Sequence, residues 1–80
     1  MLLRFGNIIY DLKYCEKIAL FDLQRIPRLY LRFVSGTDEV IDLRKYECNP
    51  EELFELIYDD KNNDNVTVQV EKKEDEKDVS

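Results

Sequence analysis

Arg28, Tyr30 and Arg32 stand at every second position of one alternating run, and Arg44 and Tyr46 repeat that spacing in the next such run. Basic side chains interleaved with aromatic ones on a sheet face can stack on bases and pair with phosphates, which is how single-stranded nucleic acid is held. Tyr and Arg are also among the residues most enriched in protein interfaces. A second group is acidic: Glu51, Glu55, Asp59 and Asp60 fall along one helical stretch, and carboxylates continue to Asp78. Carboxylates arrayed on a helix, a turn and a tail can imitate the charge of a phosphate backbone and occupy a basic groove.

The chemistry these residues exclude is broader. With no His in the chain, and with Ser35 and Ser80 as its serines, a nucleophile activated by a neighbouring base has no obvious members. The two glycines, Gly6 and Gly36, are too few for a phosphate-cradling loop or a dinucleotide fingerprint. Glu51, Glu52 and Glu55 cluster at a helix start, where carboxylates complement the helix dipole far more often than they work as an acid and base pair. Asp59, Asp60 and Asp64 lack the glycine and terminal Glu of a calcium loop and read as a solvated turn. Cys15 and Cys48 are far apart in sequence and form no CxxC, so zinc is not expected; they read as reduced core thiols, with a disulfide between them as the alternative. The expectation is therefore no catalytic residue, no metal and no cofactor.

Charge narrows the partner. The formal charge is -6, unevenly placed: eight basic against six acidic residues from Met1 to Tyr46, and four basic against twelve acidic from Glu47 onward. A net negative chain repels nucleic acid and anionic membrane, so another protein is the expected partner and direct nucleic-acid binding is disfavoured. The apolar start is broken by Arg4 and ends at Asp11 without a cleavage site, and no apolar run is long enough to span a bilayer. A cytoplasmic chain is expected.

The elements that must position these residues follow from period and punctuation. Leu2 to Phe5 and Ile8 to Leu12 are strand-like and flank Gly6-Asn7, which suits either a two-residue hairpin or a glycine bulge in one long strand. Lys17 to Leu23 is apolar on both faces and belongs inside a sheet or under a helix. Arg28 to Val34 and Val40 to Tyr46 form a hairpin around Ser35 to Glu39. Its expected register sets Phe33 opposite Ile41 and Leu31 opposite Leu43 on one face, with Arg32 opposite Asp42, Tyr30 opposite Arg44 and Arg28 opposite Tyr46 on the other.

Asn49-Pro50-Glu51-Glu52 announces a helix with Asn49 as its N-cap, and Leu53, Phe54, Leu56 and Ile57 form its apolar stripe. Val66 to Val70 alternates as a closing edge strand. No period between 20 and 50 residues repeats.

The predicted architecture is α+β: a small antiparallel meander of three to five strands, one helix packed across one face, and a C-terminal edge strand. Residues 1–70 form the domain and 71–80 an acidic, disordered tail. The expected function is a non-enzymatic module that binds another protein through the Arg and Tyr face or the acidic helix and tail. The alternatives are an acidic mimic of nucleic acid that blocks a basic-grooved enzyme, and a homodimer or larger homo-oligomer built through the Val66 to Val70 edge.

Overall fold

Among the described residues, six strands and one α-helix follow in the order β1 (Leu2–Phe5), β2 (Ile8–Asp11), β3 (Cys15–Leu23), β4 (Ile26–Phe33), β5 (Asp38–Asp42), α1 (Pro50–Asp60) and β6 (Thr67–Val70). The computed structural model describes residues 1–73, with Leu23 described by its backbone alone. The α+β class is as expected. The strands, however, exceed a meander of three to five and divide into two sheets, ordered β2-β1-β6 and β3-β4-β5.

Gly6-Asn7 turns the first hairpin, with Phe5 opposite Ile8. Gly6 carries the positive φ of 58° there and Asn7 does not, the pattern of a turn that wants glycine at its first central position. β6 pairs with the other side of β1 in parallel, Leu3 beside Val68 and Phe5 beside Val70. It is an edge strand, as its alternation suggested, but parallel to its neighbour: α1 and the turns after it return the chain to the start of β1, where the Leu2 N–H donates to the Val66 carbonyl at 2.9 Å.

The second sheet is the longer one. β3 and β4 pair from Lys17 opposite Arg32 out to Leu23 opposite Ile26, with Glu16 as the extra residue of a bulge. The turn is Gln24-Arg25 alone, and Pro27 lies inside β4. β4 and β5 do not take the expected register: Ile41 faces Leu29, Glu39 faces Leu31 and Asp38 faces Arg32. The loop is tighter than its polar residues suggested, with Phe33 N–H donating to the Thr37 carbonyl and Gly36 N–H to the Phe33 carbonyl, so β5 starts at Asp38. The partner of Ile41 moves from Phe33 to Leu29, an even number of residues, so the side chains keep their faces and only their neighbours change.

Both sheets have a strand that ends in the same local device. Asp11 caps a 3-10 turn over Leu12–Tyr14 by accepting from the Lys13 N–H, and Asp42 caps Leu43–Lys45 by accepting from the Arg44 N–H. In each the leucine drops into the core, Leu12 at 0% and Leu43 at 2% exposure. Asp-Leu-Lys-Tyr and Asp-Leu-Arg-Lys-Tyr are thus a short internal repetition, though the sequence showed no long period. Each turn stops a strand that alternation alone would have continued.

α1 starts as its sequence dictates, with the Asn49 carboxamide oxygen accepting from the Glu51 and Glu52 N–H groups at 3.0 and 3.1 Å and Pro50 at the first helical position. It buries Leu53 and Ile57 against the inner faces of the sheets, among Leu3, Phe5, Leu29, Leu31 and Ile41. Aromatic rings tie the layers: Phe5 meets Tyr46 edge-on at 4.9 Å and Tyr10 at 6.3 Å, and Tyr10 stacks on Phe33 of the other sheet at 6.0 Å. Beyond β6 the chain stays paired, with Glu47 N–H donating to the Glu71 carbonyl and Lys73 N–H to the Lys45 carbonyl. The expected tail is thus tied down as far as Lys73; its remainder, residues 74–80, lies outside the described residues. Among the described residues no helix is long and apolar enough to cross a membrane.

Candidate interaction surfaces

The outer face of the second sheet holds most of the Arg and Tyr set. Lys17, Ala19 and Phe21 on β3 lie beside Arg32, Tyr30 and Arg28 on β4, which lie beside Asp38, Val40 and Asp42 on β5. Phe21 and Tyr30 approach at 6.2 Å between ring centroids, and Val40 is 60% exposed. Phe21 and Val40 were not singled out in the sequence; only the true register shows that they flank Tyr30.

Arg44 is not opposite Tyr30, because β5 has ended before it. It reaches the rim of this face by folding back onto Asp42 at 2.7 Å. Tyr46 does not belong to the face. The 3-10 turn reverses its direction, and its ring packs against Phe5 in the core while its backbone bridges to Lys72.

Two of the three arginines of the set are occupied by their own chain: Arg32 holds Asp38 through a fork of 2.9 and 3.3 Å, and Arg44 holds Asp42. The Arg44 side chain and backbone N–H bring the Asp42 carboxyl from 3.8 down to about 2, and the Arg32 bond lowers that of Asp38. Because the folded carboxyl of Asp42 titrates below the unfolded one, the unfolded chain binds more protons in acid. The stabilisation from Asp42 is complete above its unfolded value of 3.8 and is lost as pH falls through about 2. Asp42→Asn is expected to flatten the acid limb of a plot of urea midpoint against pH. A limb of unchanged steepness would show that the Asp42 and Arg44 contact does not persist in solution.

The acidic residues meet a different environment. Between β3 and one side of α1 runs an open groove of about 690 Å³, with Leu20, Phe54 and Leu56 as its apolar floor and Glu51, Glu52, Glu55 and Asp59 around it. Among the described residues its lining contains no cation. Two smaller hollows adjoin it: one shares Leu20 and Glu51 with it and adds Asp22 and Pro27 at the start of α1, and the other shares Phe54 and adds Ile18, Tyr58 and Lys61 at the other end. Glu51, Glu55 and Asp59 are thus brought together as their helical spacing implied. Asp60 does not line the groove; it is half-buried, and its carbonyl accepts from the Asn63 N–H at 2.9 Å. The floor was hidden in the sequence, since Leu20 comes from a strand distant in the chain and Leu56 was assigned to the buried stripe of α1 but is 38% exposed.

The thiols are poor nucleophiles. Both are free; burial pushes Cys15 up to about 11 and also raises Cys48, which keeps both protonated at neutral pH. Among the described residues no three carboxylate or thiol groups gather as a metal site would require. Compared with known proteins, the chain matches no family model, no curated protein and no solved structure.

Proposed function

We propose that this chain is a non-enzymatic protein-interaction module that docks a basic partner in the groove between β3 and α1. The observation that carries the reading is the groove itself: an apolar floor of Leu20, Phe54 and Leu56 beneath Glu51, Glu52, Glu55 and Asp59, with no cation among them. Apolar contact supplies affinity at such a surface, while the carboxylates select partners by charge and speed their approach. The Arg and Tyr face is the weaker candidate, because Asp38 and Asp42 neutralise Arg32 and Arg44 within the chain. The protonated thiols and the lack of His leave no activated nucleophile to support an enzymatic reading.

The triple substitution Glu51→Gln, Glu55→Gln and Asp59→Asn tests this. All three positions are exposed, so the fold should survive, and circular dichroism checks that it does. Each rim charge pair with a partner is worth about 0.2–1 kcal/mol, so the triple variant should bind about tenfold more weakly. The measurement is quantitative capture from the native host's lysate, wild type beside variant. A protein held by the wild type and lost by the variant is expected; equal capture by both, or capture by neither, overturns the reading.

A further inference from the structure

We infer that the partner enters the groove as an extended basic segment that adds a strand to the free edge of β3. This rests on the reading above and deepens it by assigning the binding mode.

The first observation is the edge. Among the described residues β3 has β4 on one side and no strand on the other. It is nine residues long, Cys-Glu-Lys-Ile-Ala-Leu-Phe-Asp-Leu, without a proline or glycine to blunt it. The opposite edge, β5, has five residues, three of them carboxylates. Long unprotected edges are templates for another chain, and most folds cover them.

The second observation is which residues offer that edge. The pair that closes a two-residue turn exchanges hydrogen bonds, and bonded and non-bonded pairs then alternate along an antiparallel ladder. Starting from Leu23 opposite Ile26, the bonded pairs are those of Phe21, Ala19 and Lys17 with β4. Asp22, Leu20 and Ile18 therefore turn their N–H and C=O groups outward. Pro27, with no N–H to offer, sits opposite Asp22, where β3 asks none of it. Ile18, Leu20 and Asp22 are also the β3 residues that line the groove and the two hollows that adjoin it. The unpaired backbone groups and the apolar, acidic wall belong to one channel.

Its dimensions suit a strand. Ile18 to Asp22 rises about 13 Å along β3, and Glu51 to Tyr58 rises about 11 Å along α1. A peptide strand laid between them presents alternate side chains to α1, where apolar ones meet Phe54 and Leu56 and lysines or arginines meet Glu51, Glu55 and Asp59. A second copy is a poorer occupant. Pairing β3 with itself about Ala19 sets Glu16 against Asp22 and brings two acidic grooves side by side.

The test uses the full chain and a fluorescein-labelled peptide in which every second residue is in turn valine and lysine, with threonine between them, so that one face carries both types, long enough to span Ile18 to Asp22. Amide exchange of the free protein should be slow at Lys17, Ala19 and Phe21 and fast at Ile18, Leu20 and Asp22. Peptide binding should slow the second set by about tenfold or more. The same peptide N-methylated at alternate residues, on the edge that meets β3, should bind about tenfold more weakly. Binding without protection of Ile18, Leu20 and Asp22, or binding indifferent to N-methylation, overturns strand addition and leaves the acidic docking groove standing. No binding, with the triple carboxamide variant also behaving as wild type in lysate, removes both. Slow exchange at those three amides before any peptide is added would overturn the inference by showing the edge already covered.

Discussion

Alanine at Phe5 is expected to lower the urea midpoint by several molar, because this ring lies at the contact between the two sheets. It is 2% exposed and packs edge-on against Tyr46 and Tyr10, and Tyr10 in turn stacks on Phe33. Truncating a buried Phe costs about 3–5 kcal/mol, whereas a domain of this length has a total stability of about 4–12 kcal/mol. Loss of the edge-to-face pairs is part of that cost, at about 0.5–1.5 kcal/mol each. With a urea m-value near ~1 kcal/mol/M, the midpoint should fall by several molar or the transition vanish. Phe21→Ala on the outer face of the second sheet is the control, expected within about 1 kcal/mol of wild type. Tyr46→Ala separates two placements of that residue: a core ring gives a loss of about 3 kcal/mol, a solvent-facing one almost none. Equal, small effects at Phe5 and Phe21 would mean that the sheets are not joined through Phe5.

What could be seen in advance was what depends on neighbours in the chain. Asn49-Pro50 places the start of α1 because an N-cap acts on the N–H groups two and three residues on, and Gly6-Asn7 turns a hairpin because glycine tolerates a positive φ. Glu51, Glu55 and Asp59 fall together for the same reason, since helical spacing alone puts them on one side. Strand pairing is less local. The β4 and β5 register depended on whether Val34 belonged to the strand or the turn, and both options kept Leu29, Leu31 and Ile41 inward, so the apolar pattern could not choose. The 3-10 turns were hidden because Asp-Leu-Arg-Lys-Tyr alternates like a strand until the Asp42 side chain captures the Arg44 N–H. That single bond removes Tyr46 from the predicted face and puts it in the core. The groove was least legible of all, since Leu20 and Phe54 meet only once β3 and α1 are packed.

The Gln24-Arg25 turn marks where the sequence works against its own fold, and Gln24→Asn with Arg25→Gly is expected to stabilise the chain by about 1–2 kcal/mol. Both residues have left-handed φ angles, 56° and 64°, and they join strands whose right-handed twist favours this turn. The Cβ of a non-glycine residue crowds the following carbonyl in that region, at a cost of about 1–2 kcal/mol per residue. Asn accepts the conformation more readily and Gly accepts it freely. Both native residues are exposed, so the exchange removes strain without opening a cavity. The melting temperature should rise by about 4–8 °C for each kcal/mol gained. Glycine also loosens the unfolded chain, which offsets about 0.5–1 kcal/mol, so the single change Gln24→Asn serves as a partial case with a smaller rise. Because β3 ends at this turn, the double variant should also slow amide exchange at Phe21 while leaving Ile18 and Leu20 fast. A melting temperature that falls would show that Gln24 and Arg25 do not hold left-handed angles, and the pairing of Leu23 with Ile26 would then have to shift, taking the outward amides of β3 with it.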